Sequence, residues 1–356
     1  MRILYGVQGT GNGHVSRARA MARALAGHPG IRVDWLFSGR PREGFFDMAV
    51  FGDYLWREGL SFAVRGGRIH SWATVCQSRP LTLIRDIRQL PVDQYDLIVS
   101  DFEPVTAWAG RFARRRVVGI GHQYAFKHDI PVAGRDPIGR IILEHFAPVA
   151  LPVGLHWHHF GHSILPPIVD LASDLRSQPG NGDIVVYLPF EAPADILRLL
   201  ASQPGTRFVM YHPAAQNGQI GNVATRPPST VAFKRDLARC SGVICSAGFE
   251  LIAEALSLGK RILAKPVGGQ MEQLSNARAL RELQYGEVMP RLDPALLQRW
   301  LAAPGRTVRI TWPDSAGALA AWLADGCQQG VPTLSARLWL DAACNPVSHA
   351  LAPSPA

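Results

Sequence analysis

The chain is organised around Gly242–Ala277, GVICSAGFELIAEALSLGKRILAKPVGGQMEQLSNA. Val243–Cys245 is a short apolar run, and the small residues after it, up to Gly248, predict a tight turn. Apolar residues then recur at helical spacing until Gly259, and Arg261–Lys265 resumes an extended apolar pattern. The stretch therefore predicts strand, glycine turn, helix and strand, the repeating unit of an α/β fold with a parallel sheet.

The polar residues of this stretch are few, and they stand where a ligand would meet them. Ser246 and Gly248 precede a helix, whose free N–H groups and positive dipole end attract an anion. Glu254 lies on that helix among apolar neighbours. Three further polar residues are expected in the loop after the second strand: Gln270, Glu272 and Gln273. Amides for phosphate, a carboxylate for a sugar diol and side-chain amides for hydroxyls suit a nucleotide sugar.

This ordered set of motifs resembles the nucleotide-sugar signature of GT-B glycosyltransferases, closest to the peptidoglycan N-acetylglucosaminyltransferase (MurG) type and its relatives. The signature runs from a small residue and glycine, through Glu-Ala on a helix, to an apolar strand ending in proline, then Gln and Asn-Ala. The matching residues are Ser246, Gly248, Glu254, Ala255, Gly259, Pro266, Gln273, Asn276 and Ala277. The resemblance implies an α/β fold with two Rossmann-like domains facing each other across a cleft.

The resemblance also implies roles for single residues of the second half. Glu254 would hold the ribose hydroxyls, and main-chain atoms at Phe233 and Lys234 would read the base. The diphosphate would be held by the amides of Ser246, Ala247, Gly248 and Phe249. The donor sugar would be held by Gln273, with Glu272 and Gln270. The family pattern has Gln where this chain has Glu272, which leaves the sugar open.

The first residues predict a second strand–glycine–helix unit, with a strand over Ile3–Gln8, a turn over Gly9–Gly13 and a helix over His14–Leu25. A dinucleotide-binding fold is the main alternative, but its fingerprint needs G-x-G-x-x-G and an acidic residue at the end of the second strand. Here the glycines alternate, and the second strand, Val33–Phe37, ends in Ser-Gly-Arg. Both departures count against NAD.

The loop over Gly9–Gly13 instead resembles the first glycine-rich loop of the same transferases. The resemblance implies that Gly11 and Gly13 line the cleft, with amides near the donor, and that His14 lies near the acceptor. We expect His14 to act as general base, because histidine exchanges protons near neutral pH. A structural role at the start of the helix is the alternative.

Two other predicted strands of the first half also end in polar residues. One leads into Asp101 and Glu103, and the next leads into His122 and Gln123. Because ligand residues gather at the carboxyl ends of parallel strands, we expect all four on the acceptor side of the cleft. Asp101 or Glu103 is the rival of His14 as base, and helix capping by Asp101 with ordinary loop polarity elsewhere is the structural alternative.

The length of 356 residues suits two domains. We expect an acceptor-side domain over 1–164, a linker over 165–183, a nucleotide-sugar-binding domain over 184–326 and an extension over 327–356. The three prolines after Asn345 predict a disordered tail. A hydrophobic fraction of 47% with 18% charged residues is typical of a globular protein.

The net charge of +9 fits a diphosphate substrate, an anionic membrane face or simply a basic surface. No nucleic-acid recognition module is present, so no nucleic-acid partner is expected. The first residues do not form a signal peptide, and the five cysteines are scattered without metal spacing. We expect a cytoplasmic protein, with a place at the inner face of a membrane, where the acceptor would lie, as an open alternative.

Neither a metal nor another cofactor is expected. The chain has no Asp-x-Asp motif, and the histidine-rich run over His156–His162 has no second ligand cluster near it in sequence. Retaining GT-B enzymes usually carry a second Glu eight positions before the helix Glu. That position is Ser246 in this chain, so the resemblance favours inversion.

The sequence thus predicts a glycosyltransferase that moves a sugar from a nucleotide diphosphate sugar, with UDP as the expected nucleotide, to a hydroxyl acceptor. The acceptor and the sugar stay open. One alternative is a UDP-sugar 2-epimerase or hydrolase on the same fold, for which Glu103, Glu191 and Glu250 supply extra carboxylates. The other is a non-catalytic nucleotide-sugar-binding protein.

Overall fold

The computed structural model describes residues 1–60, 64–65, 68–69, 80–133, 137–172, 175, 180–303 and 307–347. Its helices are α1 Asn12–Ala26, α2 Pro80–Arg88, α3 Pro104–Phe112, α4 Pro137–His145, α5 Pro193–Ala201, α6 Thr230–Arg239, α7 Phe249–Ser257, α8 Met271–Glu282, α9 Pro294–Ala302, α10 Ser315–Ala324 and α11 Val331–Leu340. Its strands are β1 Arg2–Gln8, β2 Arg32–Ser38, β3 Leu55–Trp56, β4 Val64–Arg65, β5 Arg68–Ile69, β6 Leu97–Asp101, β7 Val117–Gly121, β8 Leu151–Gly154, β9 Ile184–Tyr187, β10 Phe208–Tyr211, β11 Gly218–Ile220, β12 Val223–Arg226, β13 Gly242–Cys245, β14 Arg261–Ala264, β15 Glu287–Val288, β16 Thr307–Thr311 and β17 Ala343–Val347.

The first half forms a six-stranded parallel sheet in the order β3-β2-β1-β6-β7-β8. Strands β6 and β7 are buried throughout, as expected for a parallel sheet covered by helices on both faces. The winding direction reverses between β1 and β6. Ligands of such sheets bind outside the carboxyl ends of the strands at this switch point, which here lies next to Gln8 and Asp101.

The second half repeats this order in a seven-stranded sheet, β11-β12-β10-β9-β13-β14-β15. All of its pairings are parallel except that of β11 with β12 at the edge. Its switch point lies between β9 and β13, next to Tyr187 and Ser246. The predicted fold of two doubly wound Rossmann-like units is therefore confirmed.

The two halves touch through the first helix of the chain. Helix α1 packs against α7 and against α10 of the second half. A Cβ at Gly13 would lie 2.4 Å from an oxygen of Glu250, so glycine permits the close approach of α1 and α7. Helix α11 also returns to the first half, because Ser335 Oγ and Trp339 Nε1 donate to the carbonyl oxygen of Ile164 at 2.8 and 2.6 Å.

Several element boundaries differ from the sequence predictions. Helix α1 begins at Asn12 rather than His14, and α6 begins at Thr230, where Ser229 caps it by accepting from the Ala232 amide at 3.3 Å. Glu272 and Gln273 were predicted in a loop, but both lie in the first turn of α8.

The C-terminal tail also differs from its prediction. The tail was predicted to be disordered from Asn345 onward, but residues 345–347 belong to β17, which pairs antiparallel with β16. Residues 348–356 and parts of the predicted linker (173–174 and 176–179) lie outside the described residues. The domain boundaries stay predictions. In the part of the chain that the structure describes, no helix is both long and apolar enough to cross a bilayer.

Candidate active site

The cleft between the two sheets holds two adjoining cavities. The main cavity, of ≈ 340 Å³, lies at both switch points and is lined by residues including Gly11, His14, Arg40, Gln123, Gly248 and Glu272. The side cavity, of ≈ 110 Å³, lies between α1, α6 and α7 and is lined by residues including Ser16, Arg19, Phe233, Lys234 and Glu254. Asn12, Tyr187 and Leu251 line both cavities, so the two spaces adjoin.

Three helices begin at the main cavity without a side-chain cap. They are α1 after Gly11, α7 after Gly248 and α8 after Gln270. By contrast, α3, α6, α9 and α10 are capped by their own Asp, Glu or Ser side chains. First-turn amides have no acceptor inside the helix, and the helix dipole makes this end positive. The main cavity is therefore suited to an anion.

The turn after β13 supplies fewer of these amides than the sequence predicted. The Ser246 amide donates to the Tyr187 carbonyl at 3.2 Å, and the Gly248 amide donates to the Ser246 carbonyl at 2.7 Å. Ala247 is fully buried beneath the turn. The amides that remain for an anion lie in the first turn of α7, which starts at Phe249.

His14 lies in the first turn of α1 and contacts a buried carboxylate. Its Nδ1 is 2.7 Å from Asp101 Oδ1, and Arg17 Nε donates to Asp101 Oδ2 at 2.9 Å. Arg17 also forms an ion pair with Glu250 of α7. Burial by itself would raise the pKa of Asp101, but Arg17 and His14 together lower it below its usual range. Asp101 is therefore an ionised partner of both His14 and Arg17.

Glu103 lies two residues beyond Asp101 but points away from the cleft. It is fully buried, and its carboxylate accepts from the amides of Val105 and Thr106 at 2.8 and 2.7 Å and from the Ser38 hydroxyl at 2.6 Å. Burial raises the pKa of Glu103, against these hydrogen bonds. The cap of this helix is thus Glu103, whereas the sequence suggested Asp101. The geometry does not support Glu103 as a base.

His122 and Gln123 were both predicted on the acceptor side, and they differ in the structure. His122 is buried, its Nε2 lies 2.6 Å from Asn276 Oδ1, and its ring stacks on Phe249 at 4.2 Å. It joins the two halves and does not line either cavity. Gln123 does line the main cavity, and its Nε2 donates to Glu272 Oε2 at 3.1 Å.

Glu254 is buried at the side cavity, where side chains of α1 and α6 contact it. Ser16 Oγ of α1 donates to its Oε1 at 3.3 Å, and Lys234 Nζ of α6 is 3.7 Å from the same oxygen. Lys234 also binds the carboxylate of Asp170. Burial raises the pKa of Glu254, and Lys234 opposes this shift.

Phe233 and Lys234 line the side cavity, but their backbone is helical. The Phe233 amide donates to the Ser229 carbonyl at 3.1 Å inside the first turns of α6. The Phe233 amide is therefore not available for the predicted main-chain contact with the base of the nucleotide. The aromatic and charged side chains of these two residues face the cavity instead.

The three predicted sugar-binding residues all line the main cavity. Gln270 is the first residue before α8, and Glu272 bonds to Gln123 across the cleft. Gln273 is buried, and its Oε1 accepts from the Val267 amide at 2.9 Å. Its side-chain NH₂ group is the part that remains for a ligand.

Comparison with known proteins assigns the family. The model of glycosyl transferase family 1 matches residues 1–134 and 159–304, more than half of the chain. The chain belongs to this family. It is a glycosyltransferase. None of the curated proteins compared with it by sequence matches.

Solved glycosyltransferases share its fold. Streptomyces sp. SF2575 SsfS6 complexed with thymidine diphosphate has 13% identity and a TM-score of 0.55, with 95% of this chain and 96% of that chain covered. Acinetobacter baumannii MurG has 15% identity and a TM-score of 0.51, with 84% and 88% covered. VinC in complex with dTDP has 15% identity and a TM-score of 0.50, with 95% and 96% covered. These identities are low, so the likeness concerns the fold.

Sequence reasoning missed three residues of this glycosyltransferase's cleft. Asn12 Nδ2 donates to the Tyr187 hydroxyl at 2.9 Å, and Arg40 Nη1 donates to Asn12 Oδ1 at 2.9 Å. All three line the main cavity. A signal for two of them was available, because Arg40 and Tyr187 stand at or just after the ends of predicted strands.

The histidine-rich run of the glycosyltransferase forms turns. The ring nitrogens of His156, His158 and His159 each accept from the amide two residues further along, at 3.3, 2.9 and 2.9 Å. Among the described residues, no group of three or more His, Cys, Asp or Glu side chains is placed to hold a metal ion.

Proposed function

We propose that this glycosyltransferase transfers a sugar from a UDP-sugar to a hydroxyl acceptor, with inversion and without a bound metal. The observation that carries the proposal is the convergence on one cavity of three uncapped helix N-termini and the His14–Asp101 pair. The first feature suits the diphosphate of a donor, and the second suits a nucleophile that must lose a proton.

The donor would lie across both cavities. Glu254 and Glu250 both line the side cavity, and Glu250 is paired with Arg17, so Glu254 would accept the hydrogen bonds from the ribose hydroxyls. The diphosphate would then reach the first turns of α1 and α7, which border the neighbouring space. SsfS6 and VinC were solved with thymidine diphosphate, so a thymidine nucleotide is the second candidate for the same site.

Transfer would proceed by a single displacement. His14 takes the proton of the acceptor hydroxyl, whose oxygen attacks the anomeric carbon as the bond to the diphosphate breaks. Ionised Asp101, on the other side of the ring, stabilises the protonated His14. The dipoles of the three helices stabilise the charge that develops on the leaving diphosphate. The position at which retaining relatives carry a second carboxylate is Ser246, which supports inversion.

The extra carboxylates that would favour an epimerase or a hydrolase already have partners. Glu103 caps α3, Glu191 is paired with Lys265, and Glu250 is paired with Arg17. None of the three is free to act as a second acid or base. A base with an ionised partner at the cavity also favours catalysis over binding alone.

Calorimetric titration with UDP, dTDP, GDP and ADP, followed by the matching nucleotide sugars, tests the donor site. We expect UDP to bind with roughly micromolar affinity, and Glu254→Ala to weaken it about 100-fold by removing a charged acceptor. Glu282→Ala on the exposed side of α8 is the control, because its partner Arg278 is exposed as well. Binding of NAD or NADP in place of every nucleoside diphosphate would overturn the proposal.

A surface of the first half favours an acceptor carried by an anionic membrane. Helices α2 and α3 pack together and leave Leu81 and Phe112 81% and 68% exposed, and Arg88 and Arg111 of the same helices are exposed as well. Exposed apolar side chains together with exposed arginines on the same two helices suit an anionic lipid surface. We expect sedimentation with anionic vesicles, weakened about tenfold in Leu81→Ser/Phe112→Ser. Equal sedimentation of both proteins would contradict this placement.

A further inference from the structure

Arg40 is a cation of the main cavity to which neither the sequence motifs nor the family match gives a role. It stands two residues after the end of β2, and its guanidinium packs on the ring of Phe45 at 4.7 Å. Its side chain reaches the Gly9–Gly13 loop, where Nε donates to the Gly9 carbonyl and Nη1 donates to Asn12. It is therefore fixed beside the uncapped start of α1.

The guanidinium has no acidic partner among the described residues, and one of its nitrogens is unused. Its remaining hydrogen bond goes from Nη1 to the Gly44 carbonyl at 3.2 Å, and Nη2 is buried without a hydrogen-bond partner in the part of the chain that the structure describes. Burial lowers the pKa of Arg40 to about 10, which still leaves it charged at neutral pH. A buried donor on a charged group that stays unpaired is costly, so an occupant for Nη2 is expected.

The other cations of the cleft have partners for their charge or for their donors. Arg17 is held by Asp101 and Glu250, and Lys234 is held by Asp170. Arg19 forms no ion pair with any residue that the structure describes either, but its donors go to the carbonyl oxygens of Asp47 and Phe46 at 3.1 and 2.7 Å. Among these four, Arg40 alone combines a full charge, an unused buried donor and a place on the main cavity.

We propose that Arg40 binds the diphosphate of the donor, with Nη2 donating to a phosphate oxygen. This rests on the proposed function, because it places the diphosphate at the start of α1. A forked guanidinium suits a phosphate group well, and its rigid contacts with Phe45 and Asn12 hold it ready. The same contacts allow another explanation, in which Arg40 only shapes the glycine loop. The two explanations differ in whether replacing Arg40 weakens only ligands that carry phosphate groups or all ligands of the site.

Calorimetric titration of UDP, uridine and inorganic pyrophosphate into the wild type and Arg40→Gln separates them. We expect Arg40→Gln to weaken UDP and pyrophosphate roughly 10- to 100-fold and to leave uridine within about twofold. Arg42→Gln is the matched control, because it removes the same charge from an exposed residue of the same loop, and it should change none of the three. If the wild type binds dTDP but not UDP, the same experiment is done with dTDP in place of UDP and thymidine in place of uridine.

Two results would overturn the inference. One is unchanged UDP affinity in Arg40→Gln. Arg40 would then not bind the diphosphate, and its guanidinium would be available to a different anion, such as one on the acceptor. The other is an equal loss of UDP and uridine, which would mean that Arg40 only shapes the loop. Should Arg40→Gln fail to fold, Arg40→Lys applies the same criterion, with UDP weakened about fivefold by loss of the fork and uridine unchanged. A wild type that binds no nucleoside diphosphate would remove the proposed function itself.

Discussion

The two faces of the cleft are built alike but carry different chemistry. On each face a buried strand ends in a glycine-containing turn, and an uncapped helix begins there, α1 in the first half and α7 in the second. On the first face, the side chains of His14 and Arg17 both contact the carboxylate of Asp101, which is fully buried. The second face carries backbone amides and two carboxylates of α7, Glu250 and Glu254, both of which line the side cavity.

The difference between the two faces lies in the side chains that the first turns of α1 and α7 carry. In α1 these turns carry His14, the proposed base, and Arg17, which donates to the same carboxylate, Asp101. In α7 they carry Glu250 and Glu254. The pair of Arg17 with Glu250 then joins the two faces. One face is thus suited to activating a nucleophile and the other to holding the donor that it attacks.

His14→Ala would break the first face with the largest effect on turnover. We expect the turnover number to fall about 1,000-fold, because a general base typically contributes that much, and the affinity for UDP to change less than about twofold. Release of UDP during transfer and calorimetry measure the two quantities. His145→Ala, at an exposed histidine of α4, is the control. Unchanged turnover in His14→Ala would exclude it as the base.

Asp101→Asn would test whether the buried carboxylate acts through His14. We expect turnover to fall about 100-fold, because the ring loses the charge that orients it. We also expect about 3 kcal/mol of lost stability at neutral pH, since Arg17 loses one of its two buried partners. Chemical denaturation and the same UDP-release measurement check both effects.

The stability loss in Asp101→Asn should depend on pH in a defined direction. The pKa of Asp101 is lower in the folded protein, so its ionised form stabilises the fold above the ordinary carboxyl pKa of about 4. This contribution disappears as the pH falls through the folded value. The difference between the wild type and Asp101→Asn should therefore shrink below about pH 4. A difference that stays constant from pH 7 to 3 would mean that the charge is not what matters.

The repeated strand–turn–helix units were predictable because their signals are local. Apolar runs, glycine turns and helical spacing gave both switch points and the positions of His14 and Glu254. The start of α1 was misplaced by two residues, because Asn12 and Gly13 are weak helix formers whose helical state is supported by packing against α7. The pairing of β16 with β17 joins segments more than 30 residues apart and left no local signal.

The partners of the site residues were not predictable, because they come from distant parts of the chain. Asp101 meets an arginine 84 positions away, and His122 meets Asn276, 154 positions away. Between Asp101 and Glu103, Phe102 adopts a positive φ of 50°, which turns the two carboxylates to different sides. Sequence spacing alone treats both as equivalent candidates for the base.

Glu103→Gln gives the smallest expected effect on turnover and sharpens the contrast with Asp101. Gln keeps the size of the side chain but replaces one acceptor oxygen by a donor, so one contact of the cap with Val105 or Thr106 is lost. We expect about 1 to 2 kcal/mol of lost stability and a turnover number within about twofold of the wild type. Because burial raises the pKa of Glu103, the wild type gains stability as the pH falls from that raised value toward the ordinary carboxyl pKa of about 4, whereas Glu103→Gln does not titrate, so the stability difference should widen over this interval. A large loss of turnover with unchanged stability would return Glu103 to the list of candidate bases and remove the distinction between the two carboxylates.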